Sequence, residues 1–392
     1  MLANPHIRIA VISDLHCEDS RNSPKHSRLN IEILDHALNG NPITSFKKLI
    51  KNKTTDYLFV LGDLTDQAYK GGFNLGTRYV KEIFDMLNAK KLIYAVGNHD
   101  VYRLTTEDNE QDSWEMMRCT ENFPFILKDR DDKATQSLKK ELMADHYCII
   151  EDAESIILVL NTSFAMTHAK KLDSMDFTKF NARIEEALNE LKPSDKIKIA
   201  ICHHHPIPHS DINYKGDDCI GGSDILMTLL KVHKFTIIMH GHKHFTRLKD
   251  NGIPVFCAGS FSALLDSFRQ NTAHFVDLFK IQQGSSTILY KGTIETWFYG
   301  TKGWDNDSRP DFPIYCGFGS TETPEKLANE IASDFFPTET PTEIPLKVVI
   351  EKFEDVMFLM PDQQKLLESE LGKYHIEIIN SRNGRMIRKI NG

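Results

Sequence analysis

The chain has no C-x-x-C pair, no long apolar run and no excess of positive charge. Its seven cysteines (Cys17, Cys119, Cys148, Cys202, Cys219, Cys257 and Cys316) are odd in number and scattered. That pattern argues against a disulfide framework or a zinc ribbon and for a reducing compartment. No apolar stretch approaches the ~18 residues of a membrane helix, and the longest are strand-sized, so no membrane association is expected. No charged, apolar, small-residue series opens the chain, so a secretory signal is not expected and a cytoplasmic location is. Lys plus Arg number 47 against 55 Asp plus Glu, a net charge of -8, which gives no footprint for tight nucleic-acid binding. A nuclease survives that argument, because bound divalent metals would reverse the sign locally. Hydrophobic residues at 41% and charged residues at 26% are ordinary globular usage, which sets aside disordered and fibrous classes. The length of 392 residues allows more than one domain.

Short apolar runs at 7–12, 57–61, 91–96, 156–160, 197–201, 235–239, 254–257, 275–279 and 287–293 read as strands. Most lack alternation, as strands covered on both faces do. Amphipathic stretches lie between them. In one, Phe177, Phe180, Ile184, Leu188 and Leu191 share a stripe, with Asp176 as N-cap and Pro193 beyond the end. The alternation predicts an α/β fold for residues 1–303. Residues 105–146 are dense in charge, and read either as a solvated helical excursion or as a cap over a site. Prolines at 310, 313, 324, 337, 341 and 345 predict a linker or irregular layer over 304–345. Residues 346–392 read as a separate small α+β domain. A strand is expected at 346–350, a helix near 363–371, and a hairpin of 374–379 and 385–390 about Asn383 and Gly384.

Metal-ligand residue types concentrate in five segments at or just past strand ends. They are Asp14-Leu-His16, Gly62-Asp63, Gly97-Asn98-His99-Asp100, His203-His204-His205-Pro206 and Gly241-His242-Lys243-His244. Each alone is weak, but together they gather where an open α/β sheet builds its site. Carboxylates and imidazoles without thiolates suit Mn, Fe, Zn, Co or Ni.

In this order the segments resemble the calcineurin-like metallophosphoesterase superfamily, whose blocks are D-x-H, GD, GNH[D/E], H and GHxH, over residues 5–300. The resemblance implies a two-sheet sandwich flanked by helices, in α-β-β-α layers, with two divalent transition-metal ions (Mn2+ or Fe2+ favoured; Zn2+, Co2+ or Ni2+ as alternatives). It implies that Asp14, His16, Asp63 and His244 take one ion, and that the bridging Asp63, Asn98, His204 and His242 take the other. His204 is selected as the histidine two before the proline. Strand alternation would then turn His203 and His205 away, His203 into a buried hydrogen-bonded place and His205, with Asn98, toward substrate. His99 resembles the family's general acid, and either Asp66 or Asp100 could orient it. The implied reaction is in-line attack on phosphorus by a metal-bridging hydroxide. Purple acid phosphatases of this superfamily carry a tyrosine three residues after the bridging Asp, where this chain has Asp66. An iron-loaded sample is therefore expected to lack a strong visible tyrosinate charge-transfer band, and observing one would overturn this reading.

The finer pattern D-L-H, G-D-L-x-D, G-N-H-D, H-H-H-P-x-P and H-G-H-x-H resembles most closely the class III cyclic-nucleotide phosphodiesterase-like branch. That implies hydrolysis of a cyclic nucleotide or another small phosphodiester rather than a monoester. The alternative is an SbcD-like DNA or RNA nuclease, favoured by the charged 105–146 stretch and by Arg382, Arg385, Arg388 and Lys389. A third reading makes the domain a catalytically weak scaffold. The 346–392 segment resembles small adaptor domains of bacterial defence and signalling effectors, which implies a protein partner or self-association.

Overall fold

All nine apolar runs form strands in the computed structural model, which describes residues 4–18, 27–30, 41–66, 68, 70–101, 125–164, 175–208, 218–265, 269–283, 287–306, 312–337, 343–381 and 384–390. The chain divides into two compact units, Ile7–Phe275 with Trp297–Asn306, and Met1–His6 with Val276–Thr296 and Asp307–Gly392.

In the first sheet the order is β13 (Gly303–Asp305), β12 (Thr287–Gly300), β11 (Asn271–Gln283), β1 (Ile7–Ile12), β2 (Tyr57–Val60), β3 (Lys91–Tyr94) and β4 (Phe125–Leu127). The second runs β5 (Tyr147–Glu151), β6 (Ser155–Leu160), β7 (Ile197–Ile201), β8 (Ile237–His240), β10 (Pro254–Ala258) and β9 (Thr246–Asp250). The central strands β1, β2 and β3 are parallel, as are β6, β7, β8 and β10. Every residue of β2, β3, β6 and β8 is buried, so each sheet is covered on both faces. The two sheets and the helices outside them make the α-β-β-α sandwich. Over the second sheet, α4 (Asn181–Glu190) and α5 (Ser223–Val232) bury Ile184, Leu188, Leu226 and Leu230 against Leu158, Ala200, Ile238 and Val255. Beside the first sheet, α1 (Pro42–Ile50) and α2 (Lys70–Met86) bury Phe46, Phe73, Val80 and Phe84, and the Trp304 indole of β13 donates to the Pro42 carbonyl at 2.8 Å.

Much of the charged 105–146 stretch lies outside the described residues. Its remainder forms β4, antiparallel to β3, and α3 (Asp132–Asp145), capped by Asp131, whose carboxylate accepts from the Ala134 amide at 2.7 Å. Asp176 caps a 3-10 turn, Phe177–Lys179, and α4 follows it.

In the second unit the described part of the proline-rich stretch carries regular elements, while Pro310 and Pro341 lie outside the described residues. It contains β14 (Tyr315–Phe318), α6 (Pro324–Phe335) and β15 (Glu343–Pro345). Pro324 occupies the first turn, where it forfeits no helical hydrogen bond, and the Thr323 hydroxyl caps the helix. Residues 346–350, expected as a strand, are instead the start of α7 (Leu346–Lys352). Leu346 and Val349, one helical turn apart, both enter the core, and that burial overrides their strand propensity. The 3-10 turn Glu354–Phe358, α8 (Pro361–Gly372), β16 (Ile376–Ser381) and β17 (Gly384–Lys389) complete the unit. The third sheet runs β15-β17-β16, with Ser381 opposite Gly384, while Asn383 lies outside the described residues. Leu327 and Ile331 of α6 share one core with Val349, Leu367, Leu371 and Ile387. A cavity of about 540 Å³ in this unit is lined by Cys316, Leu346, Ile350, Leu367 and Ile378, among others.

Candidate metal centre

Parallel strands bring their carboxyl ends to one edge, and the five histidine- and carboxylate-bearing segments follow those ends. The turns are tight enough to force unusual backbone. Asp14, His16, Asp63, His242 and His244 all have positive φ, between 47° and 86°, which costs non-glycine residues about 1–3 kcal/mol each. Gly62 has φ +98°, and a Cβ there would stand 2.2 Å from His203 Nδ1. A Cβ on Gly97 would stand 2.0 Å from the Asp63 amide nitrogen. These glycines let the segments approach closely enough for their side chains to converge.

Asp100 ties two of the segments together. Its carboxylate accepts from the amides of Leu64 (2.8 Å), Thr65 (3.1 Å) and Gly97 (2.8 Å), and from the Tyr94 hydroxyl. Burial and the charge of Asp63 raise its pKa to about 6.

Two donor clusters meet at Asp63. In the first, Asp14, His16, Asp63 and His244 place ligand atoms within 4.8 Å of one another. His16 Nε2 lies 3.0 Å from His244 Nε2 and 3.5 Å from Asp63 Oδ2, and His244 Nε2 lies 3.3 Å from Asp14 Oδ1. In the second, His203 Nε2 is 3.3 Å from the same Asp63 oxygen and 3.0 Å from Asn98 Oδ1, which is also 3.0 Å from His242 Nδ1. The His203 tautomer is fixed from behind. Its Nδ1 donates to the Leu61 carbonyl at 2.7 Å, so Nε2 must meet two oxygen acceptors with either a proton or a cation. The donor set therefore fits a pair of divalent ions, with the Asp63 carboxylate between them.

Electrostatics agree with that use. Burial opposes ionisation of Asp14 and Asp63, yet hydrogen bonds and charge from surrounding histidines hold both well below the usual carboxylate range. Burial lowers the pKa of His242 to about 4 and also lowers that of His244, leaving the neutral imidazoles that metal ligation requires. For His203, burial is outweighed by the Asp63 charge, and its pKa rises to about 9. A proton there supplies the positive charge that the surrounding oxygens call for.

His99 stands at the solvent side of this cluster, its side chain 36% exposed. Its Nδ1 is 2.9 Å from Asp66 Oδ1, and its amide donates to Asp63 Oδ1 at 2.8 Å. Asp66 is thus the carboxylate that meets the imidazole, while Asp100 is engaged with backbone. Burial opposes the charge on Asp66, but hydrogen bonds from His16 and His99 keep it ionised.

Two placements differ from those expected. His203, not His204, stands with Asp63, Asn98 and His242; His204 Nδ1 instead contacts the Thr162 hydroxyl at 2.9 Å. His205 does not face the cluster's open side, being fully buried beside His240 and Cys257. One contributor was not visible in the sequence. Asp218 Oδ1 lies 3.1 Å from His242 Nε2, and its other oxygen pairs with Lys243 at 2.8 Å, orienting the ring. It belongs to no strand end and no motif, so only the folded chain brings it there.

A two-sheet sandwich with carboxylate and imidazole donors past its strand ends gathers a candidate metal centre at one sheet edge. The family model for calcineurin-like phosphoesterase matches residues 7–245, more than half of the chain, and the protein belongs to that family. Members typically bind two divalent metals, and the two clusters are candidate ligands for such a pair. Among curated proteins no sequence match is found. Solved structures of similar fold include a dimetal phosphatase from Danio rerio, with TM-score 0.48, 9% identity, 77% of this chain and 98% of that one covered. A purple acid phosphatase from yellow lupin, Lupinus luteus, gives 0.41, 14%, 74% and 51%. Vacuolar Protein Sorting 29 from Cryptosporidium parvum gives 0.31, 11%, 77% and 96%. Among the described residues no helix is long and apolar enough to cross a membrane.

Proposed function

We propose that the protein is a cytoplasmic phosphodiesterase acting on small diesters, cyclic nucleotides among them, through a dinuclear centre of Mn2+ or Fe2+, with Zn2+, Co2+ or Ni2+ as alternatives. Asp14, His16, Asp63 and His244 would hold one ion, and Asp63, Asn98, His203 and His242 the other. The observation that carries this reading is the single Asp63 oxygen facing both clusters, 3.5 Å from His16 and 3.3 Å from His203. Such a pair, when bound, polarises the phosphoryl group, lowers the pKa of its water and stabilises entering and leaving oxygens. The chain's own part is to position and to move a proton. Asn98, held by His203 and His242, would orient the phosphate. His99, held at Nδ1 by Asp66, presents its exposed edge to the departing oxygen as general acid.

Small diesters are favoured over polynucleotides by the acidic balance and by the tail. Arg388 pairs with Glu377, Arg385 lies 3.8 Å from Glu368, and Lys389 is buried, so these cations do not form a free basic stripe. None of the six described cysteines is in a disulfide, in keeping with a cytoplasmic setting. The test is product analysis of one mixed pool. Manganese-reconstituted protein, with Asp63→Asn as control, meets 3′,5′- and 2′,3′-cyclic nucleotides, glycerophosphodiesters, a phosphomonoester, and linear DNA and RNA. Consumption of small diesters with polynucleotides intact is the expected result. Degraded polynucleotides would make the protein a nuclease instead.

The second unit carries a separate proposal, binding of a protein partner or of a second copy through residues 346–392. Val348, Leu366, Tyr374 and Ile390 expose large apolar side chains there. Because α6 shares the core of this segment, deleting 346–392 would also strip α6, and surface changes test the idea more cleanly. Val348→Asp with Leu366→Asp is expected to lower the sedimentation coefficient or abolish pull-down of a partner. Unchanged behaviour in both assays would dispose of the interface.

A further inference from the structure

Behind the dinuclear cluster, three more metal-ligating side chains meet, and the proposed chemistry uses none of them. His205, His240 and Cys257 are each 0% exposed, and each places one donor atom within 4.8 Å of the other two. They come from three neighbouring strands. His205 follows β7, His240 ends β8, and Cys257 in β10 is the register partner of His240. The His205 and His240 rings are 4.4 Å apart at 64°.

One tautomer is set by the backbone. His240 Nδ1 lies 3.1 Å from the Gly241 carbonyl oxygen, which can only accept, so the hydrogen sits on Nδ1 and the lone pair on Nε2. A ring N–H anchored on a carbonyl leaves the opposite nitrogen with the lone pair that a metal-bound histidine uses. The same Gly241 carbonyl also receives the Cys257 thiol, Sγ to O 3.5 Å, which draws the two side chains together. The donor chemistry differs from that of the dinuclear cluster. Two imidazoles and one sulfur, with no carboxylate in the group, are soft donors that select zinc or cuprous copper over manganese or magnesium. Charge also fits a buried place. A thiolate with two neutral imidazoles around Cu+ is neutral, and around Zn2+ carries one positive charge, both cheaper to bury than an unpaired divalent ion.

We propose that His205, His240 and Cys257 form a third metal site, distinct from the dinuclear centre, for one thiophilic cation, Zn2+ or Cu+. On binding, the Sγ–H bond of Cys257 gives way to an Sγ–metal bond and the proton leaves to solvent. Full burial excludes substrate, so the ion is structural. It ties the ends of β7, β8 and β10, the first two of which lead directly into His203 and His242. Burial also means that the ion enters as the chain folds rather than by later exchange.

The full chain is therefore produced in metal-depleted medium supplied with Co2+, a spectroscopic substitute for zinc. Three cobalt ions per chain are expected, together with a near-ultraviolet thiolate-to-cobalt charge-transfer band. The dinuclear centre has no thiolate and cannot produce that band. Asp63→Asn should keep the band while losing the other two ions, so failure of the phosphoesterase reading would leave this result standing. Cys257→Ser should lose the band and one ion. Two ions with no thiolate band in the unmodified chain would overturn the proposal without reliance on any variant, as would a band that survives Cys257→Ser. Production in zinc or copper medium, followed by dialysis against chelator, distinguishes the cation by which metal stays at one per chain.

Discussion

Asp63→Asn is expected to remove both dinuclear-site ions and to lower kcat/KM by about 10³-fold or more. The substitution is nearly isosteric, and its amide oxygen can still accept from the His99 amide that now meets Oδ1 at 2.8 Å. What it removes is the negative charge shared between His16 and His203, and the oxygen that faces both clusters. Metal stabilisation of a phosphoryl transition state amounts to several kcal/mol, and each 1.36 kcal/mol is tenfold in rate. The companion changes separate the two clusters. His203→Ala should lose one ion and His204→Ala neither, since His203 Nε2 lies 3.3 Å from Asp63 while His204 Nδ1 is engaged by Thr162. Metal analysis of desalted protein reads all three. Two ions retained by Asp63→Asn would mean that this carboxylate does not bridge, and equal losses from His203→Ala and His204→Ala would undo the assignment between them.

The histidine choice shows where sequence reasoning reached its limit. Five segments at strand ends pointed to one cluster because parallel strands place their carboxyl ends on one edge. Choosing among three consecutive histidines needs the inward face of β7, and every residue of that strand but Lys198 is apolar. In the fold, Ala200 and Cys202 pack with α4 and α5, so alternation carries His203 to the opposite, inter-sheet side, where the Leu61 carbonyl receives it. A strand covered on both faces hides its orientation from its own sequence. The same kind of ambiguity hid α7, whose β-branched run reads as a strand until Leu346 and Val349 are seen on one buried helical face. Asp218 had no local signal, since its role depends on reaching His242 from a different segment.

His99→Ala is expected to divide substrates by leaving group. For a diester that expels an alkoxide, kcat should fall about 10²–10⁴-fold, the range that a positioned general acid contributes. For p-nitrophenyl diesters, whose leaving group departs without protonation, the loss should be small. The geometry motivates this split. His99 is a partly exposed imidazole at the edge of the cluster, and its Nδ1 is engaged by Asp66, which leaves Nε2 to meet the departing oxygen. Asp66→Asn keeps an acceptor at the same place but removes the charge, so it should reproduce the same leaving-group pattern at lower amplitude. A purely structural role for His99 would not do so. Its backbone amide, which contacts Asp63, survives the alanine substitution, whereas general collapse of the centre would depress both substrates together. Equal losses on alkyl and p-nitrophenyl diesters, with two ions still bound, would remove His99 from the acid role and leave solvent water as the proton source.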